Sequence, residues 1–173
     1  MVDPFNGLAD LAAQVMRTPV DPEVSFGDDP LRMLRLYRFV ATLGFAPDPL
    51  AAAAVIEMRD RLSIISAERI RDELSKLIVG DYVAEGLWGL VRSGLGREFI
   101  PELTALELEQ DPVHHHKDVL AHTVAVVAKT SPDEVLRLAA LFHDIGKAVD
   151  REMEGGHLHI GVDLLRKYGE SEA

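Results

Sequence analysis

His143 and Asp144 stand side by side at the end of the apolar run Leu138-Ala139-Ala140-Leu141-Phe142, and Ile145, Gly146 and Lys147 follow them. An imidazole and a carboxylate are ligands for a divalent cation, Gly146 lets the backbone turn, and Lys147 brings an ammonium within reach of an anion. A cation held there would lower the pKa of a bound water and take up charge on phosphate oxygens. His122, on the preceding helical segment, is a third ligand candidate. His157, after Gly155-Gly156, is a fourth, or a ligand of a second ion. The expected metal ligands are therefore His122, His143, Asp144 and His157, with His143, Asp144 and Lys147 as the groups that do the chemistry.

The chain has no cysteine, so thiolate sites are excluded and the metal would be Mn, Ni, Co, Fe or Mg. The run His114-His115-His116 is read differently. Three successive side chains at a helix start point in different directions, which suits a solvated or RNA-facing position better than a shared ion.

Helices must position these groups. Asp29-Pro30 and Asp48-Pro49 each pair a capping side chain with a proline at the first helical position, and Ser131-Pro132 does the same further on. Met33, Leu36, Tyr37 and Val40 recur at i, i+3, i+4, i+7 and form the buried stripe of a helix ended by Gly44. The helix from Asp48 runs to about Leu62. Ser66 opens another with Ile70, Leu74, Leu77 and Ile78 on one face, closed by Gly80, and Asp81 opens one with Val83, Leu87, Leu90 and Val91, closed by Gly94. Trp88, at helical spacing with Val91, is read as core. Before these, Leu8, Leu11, Ala12 and Val15 fall at helical spacing. In the second half Val119, His122 and Val126 share a face, and Val135, Leu138, Ala139 and Phe142 form a stripe. No segment alternates with period two, so the expected fold is all-α.

The hydrophobic fraction of 47% and charged fraction of 27% are those of a globular protein. No apolar run nears the roughly 20 residues that cross a bilayer, and residues 1–20 lack a secretory pattern, so no membrane partner and a cytoplasmic location are expected. The net charge of −11 argues against non-specific nucleic-acid binding, and no DNA partner is expected.

Leu120-Ala121-His122-Thr123 followed by Leu138 through Lys147 resembles the HD superfamily of metal-dependent phosphohydrolases. The resemblance implies that His122, His143 and Asp144 bind metal and that Lys147 contacts phosphate. A second resemblance covers residues 1 to 147. Asp28-Asp29-Pro30-Leu31-Arg32-Met33-Leu34-Arg35, Arg38-Phe39, Leu43-Gly44-Phe45, Ile65-Ser66-Ala67-Glu68-Arg69-Ile70, Glu73-Leu74 and His115-His116-Lys117-Asp118-Val119-Leu120 look like bacterial CCA-adding tRNA nucleotidyltransferases and their poly(A) polymerase relatives. It implies that Asp28, Asp29 and Arg32 form a protein template that hydrogen-bonds the base of CTP or ATP. A carboxylate accepts from an exocyclic amine while a guanidinium donates to ring nitrogen or carbonyl oxygen. Arg32, Arg35, Arg38, Arg59, Arg61, Arg69 and Arg71 are candidates for an RNA-facing surface, with Arg35 and Arg38 taken as the RNA-binding pair, and the alternative is that they are the solvated sides of helices. Taken alone, Asp29 would be a helix cap and Arg32 a solvated first-turn side chain. From Ala148 to Ser171 the chain resembles the HD domain of ribonuclease Y instead.

Residues 1–27 are thus expected to be the end of a nucleotidyltransferase head, 28–110 a helical neck and body, and 111–173 a partial HD domain. The catalytic head and its metal-binding aspartates would lie outside this chain. Such a chain would select bases and bind tRNA or other RNA, with ATP or CTP only where a head is present, and would not add CCA alone. The alternative is a metal-dependent phosphohydrolase acting on nucleotides, 2′,3′-cyclic phosphates or RNA.

Overall fold

The computed structural model describes residues 2–106 and 119–145. The expected all-α class is borne out. Among the described residues the only strands are two residues long, β1 (Val15–Met16) and β2 (Ala46–Pro47), which pair in parallel. The chain divides into two compact units between Phe99 and Ile100, while the boundary expected near 110 lies outside the described residues.

α1 (Gly7–Ala13) is short and buries none of its residues. Its first amides are satisfied by Asp3, whose carboxylate accepts from Gly7 N at 2.8 Å and Leu8 N at 2.9 Å. Those bonds, Leu8 first, hold the Asp3 carboxyl below its ordinary pKa. The expected stripe fails here because Gln14 is left-handed and ends the helix, so Val15 passes into β1. α2 (Pro22–Asp28) was not anticipated from the spacing of apolar residues. It carries the same punctuation as the others, with the Asp21 side chain accepting from Glu23 N and Val24 N ahead of Pro22.

α3 (Leu31–Leu43) is the axis of the first unit. It buries Leu31, Met33, Leu34, Leu36, Tyr37, Val40 and Ala41, a wider face than the four-residue stripe expected. The helix begins one residue later than Asp29-Pro30 suggests, and Asp29 Oδ1 accepts from Leu31 N at 3.2 Å. α4 (Pro49–Met58) is capped by Asp48 and gives way to a 3-10 segment, Arg59–Ile64, before the expected end at Leu62. α5 (Ala67–Ile78) and α6 (Val83–Arg92) both pack on α3. α6 comes close because it has no side chain at two positions. A Cβ on Gly86 would lie 2.6 Å from Ala41 Cβ, and one on Gly89 would run into the Tyr37 ring.

The second unit contains α7 (Pro101–Ala105), α8 (Val119–Lys129) and α9 (Glu134–Phe142). α8 buries Leu120, Thr123, Val124 and Val127, so the face shared by Val119, His122 and Val126 is its open one. In α9 the expected stripe is displaced. Asp133, not Ser131, caps the helix by accepting from Leu136 N at 3.0 Å, and Val135 is 74% exposed. Arg137 takes the inward position instead, donating from Nε to Thr130 O at 3.1 Å and lying with Ala140, Leu141 and Phe142 in the core. No described helix is long and apolar enough to cross a membrane.

Candidate functional site

The open face of α8 presents His122, and α9 ends with His143 at its C-cap followed by Asp144. One ligand atom from each lies within 4.8 Å of the others. The two imidazoles meet edge to face, with centroids 5.7 Å apart and 66° between planes. His143 Nδ1 lies 2.6 Å from the carbonyl of Ala140, one turn back. A carbonyl only accepts, so Nδ1 donates here, and Nε2 is the ring nitrogen available to a metal. Nε2 stands 3.3 Å from Asp144 Oδ2, so the two groups face the same point. Two imidazoles and a carboxylate gathered this closely are a donor set for one divalent cation, and the residues fit such an ion by type. Lys147 and His157, like the run 114–116, lie outside the described residues.

The acidic pair and Arg32 lie where α2 hands over to α3. Asp28 is exposed as the last residue of α2. Asp29 is half-buried, and its Oδ2 is 3.3 Å from a terminal nitrogen of Arg69 on α5. A terminal nitrogen of Arg32 donates to both Ser25 O and Ser25 Oγ at 3.1 Å, and Ser25 is buried in α2. Asp29 and Arg32 are thus each held by a group on another helix. Arg35 and Arg38 turn toward α5. Arg35 Nε donates to Glu73 Oε1 at 3.2 Å, and Arg38 Nε pairs with Glu73 Oε2 at 2.8 Å. Arg38 also covers the Phe39 ring at 3.9 Å.

The residues that sequence reasoning left without a role are Ser25 and Glu73, which hold these arginines. Neither differs in type or spacing from an ordinary helix residue, but Glu73, like Arg69, falls within the motifs of the second resemblance, Glu73-Leu74 and Ile65 to Ile70. Trp88 also departs from its expected place. Val91 is buried, but Trp88 is half-buried and lines an open cleft of about 740 Å³ together with Tyr37, Phe45, Glu85 and Arg92. Burial raises the Tyr37 hydroxyl pKa, partly offset by a hydrogen bond with Ser93.

Residues 44–107 match the family model described as the probable RNA and SrmB- binding site of polymerase A, and residues 112–173 match the HD domain. The chain is 32% identical to the multifunctional CCA protein of Pseudomonas syringae pv. syringae and 33% identical to that of Pseudomonas fluorescens. Each alignment takes in 98% of this chain and 44% of the relative, so the chain spans less than half the length of those proteins. Among solved structures, the Bacillus stearothermophilus CCA-adding enzyme in complex with CTP shares the fold. It has a TM-score of 0.54 and 23% identity, over 98% of this chain and 54% of the other.

Proposed function

Because the chain belongs to the CCA-adding and poly(A) polymerase family, we propose that it is the RNA-binding, base-selecting and HD-bearing portion of a tRNA 3′-end-processing protein of the cytoplasm. In this reading Asp28, Asp29 and Arg32 face the base of CTP or ATP, and tRNA lies along the arginine-bearing side of α3. Arg35, whose side chain is 43% exposed, keeps surface for a phosphate while bound to Glu73. The observation that carries the HD part is the cluster of His122, His143 and Asp144 within 4.8 Å.

A divalent cation bound there would polarise a phosphoester and supply an activated water at neutral pH. The chain's own residues prepare for it. Ala140 O keeps the proton on His143 Nδ1, so His143 Nε2 can ligate. Asp144 is half-buried, and α8 holds the His122 ring edge to face with that of His143. Lys147 would hold a phosphate oxygen and His157 would complete the ligand set. The hydrolase reading is favoured by the same cluster and names a 2′,3′-cyclic phosphate, nucleotide or RNA as substrate.

Metal content separates these readings from an inert helical scaffold. Wild-type protein loaded with Mn²⁺ or Ni²⁺ and desalted should retain close to one ion per chain, and His143→Ala should retain several-fold less. Equal content in both would overturn the metal site. A gel shift with tRNA tests the RNA part in the same preparation. Binding without phosphodiesterase activity favours the tRNA-processing reading, and turnover of a cyclic phosphate without tRNA binding favours the hydrolase.

A further inference from the structure

We infer that the cleft lined by Trp88 is a stacking site for one base of single-stranded RNA. The inference rests on the RNA-binding reading above and assigns that binding to one place. Trp88 is the sole tryptophan of the chain. α6 buries Val83, Leu87, Leu90 and Val91, and the indole stands off that face, half-buried in the wall of an open space of about 740 Å³. That volume lies within the range of sites that take small organic ligands. An aromatic ring left on such a wall offers a face on which any base can stack.

The polar groups on α6 decide what kind of occupant suits the cleft. Arg92, one turn after Trp88, sets its guanidinium 5.3 Å from the indole centroid. It lies over the ring as a cation–π partner, and a base stacking on that face would displace it toward the phosphate of the same nucleotide. Glu85, one turn before Trp88, also lines the cleft and is exposed. Its carboxylate only accepts, so it suits the exocyclic amine of adenine or cytosine, whereas uracil offers it only an N3–H flanked by two carbonyls that repel it. A helical protein segment would need a continuous apolar groove for anchors at i, i+3, i+4 and i+7. The cleft wall is mainly apolar, with Tyr37, Phe45 and Ile56 beside Trp88. The opposite charges of Glu85 and Arg92, one turn to either side of the indole, match a nucleotide's amine and phosphate better than an uncharged peptide face.

The chain's −11 charge means that affinity has to come from such local groups and not from the whole surface.

The single tryptophan reports directly on its own site. The full chain is titrated with single-stranded oligoadenylate, oligocytidylate and oligouridylate of eight nucleotides and with an RNA duplex. Trp88 emission and the anisotropy of end-labelled RNA are followed together. Single strands should quench the emission saturably and the duplex should not, with the adenine and cytosine strands binding several-fold tighter than the uracil strand. Trp88→Ala should weaken binding about tenfold and Trp88→Phe should recover most of it, which separates stacking from a folding defect. Arg92→Ala should lower the slope of log affinity against log salt by about 0.7, the value for one phosphate on a single strand. Glu85→Ala should level the three strands.

If anisotropy saturates while Trp88 emission stays unchanged and Trp88→Ala binds like wild type, RNA sits elsewhere. The inference then falls while the RNA-binding reading stands. If neither signal responds to RNA or tRNA, both fall. Quenching by an amphipathic helical peptide in place of RNA would make the cleft a protein groove and overturn the inference.

Discussion

Glu73 is 4% exposed, and it meets three cations: Arg38 at 2.8 Å, Arg35 at 3.2 Å and Lys76 at 3.7 Å. Removing one member of a buried ion pair strands the other and costs about 3–5 kcal/mol. Here the partners are better hydrated, with side-chain exposures of 43% for Arg35, 20% for Arg38 and 57% for Lys76. The Arg38 contact also lacks the geometry of a hydrogen bond, so about 2 kcal/mol is the expected loss for Glu73→Ala. Urea denaturation should show the midpoint falling with an unchanged slope, and Glu73→Gln should fall less. A shift under about 0.5 kcal/mol would mean that the cluster is no more than surface pairing. The sequence showed a glutamate next to Leu74 and three arginines on a neighbouring helix, but helical spacing cannot say that they meet. The same limit hid Ser25, whose carbonyl and hydroxyl hold Arg32. The grouping of His122, His143 and Asp144 was far more legible, because His143 and Asp144 are adjacent and His122 lies on the open face of the helix before them.

At the scale of elements, the close crossing of α6 on α3 depends on glycine. In an isolated helix Gly86→Ala would gain about 1 kcal/mol of propensity. In this crossing the added methyl meets Ala41 Cβ at 2.6 Å and Tyr37 O at 3.1 Å, contacts that force the helices apart. Overpacking of that kind costs about 1–3 kcal/mol and, because one neighbour is backbone, the upper part of the range applies. The net expectation is a loss of about 1–2 kcal/mol, read as a melting temperature lower by roughly 5–15 °C for a unit of this size. An equal or higher melting temperature would show that propensity wins and that the crossing has slack. Helix positions were largely legible where a carboxylate precedes proline, since Asp48 accepts from Leu50 N at 3.1 Å and Ala51 N at 3.4 Å as that pairing implies. Buried faces were less so. In α9 the inward place belongs to Arg137, whose stem packs while its Nε finds a carbonyl, and a pattern of apolar residues cannot anticipate that.

Across the whole molecule, the family resemblance reached further than the pattern of apolar residues. The motifs from Asp28 to Lys147 named both modules, and the matched segments 44–107 and 112–173 fall on them. What periodicity could not supply was the division of the chain, because the compact units part between Phe99 and Ile100 within an otherwise helical stretch. That division makes the metal site testable as a property of one unit. His122, His143 and Asp144 all belong to the second, so an ion binding them stabilises that unit and leaves the first alone. A ligand at about one hundred times its dissociation constant adds about 2.7 kcal/mol to the state that binds it. For a unit of this length that corresponds to a rise of roughly 10–20 °C. Calorimetry with and without Mn²⁺ or Ni²⁺ should show one transition moving by that amount and the other staying fixed. In His122→Ala or His143→Ala neither transition should move. A metal-dependent rise that persists in both variants would place the ion on other residues. Equal movement of both transitions would show that the units unfold as one, in which case the ion's location has to be read from metal content alone.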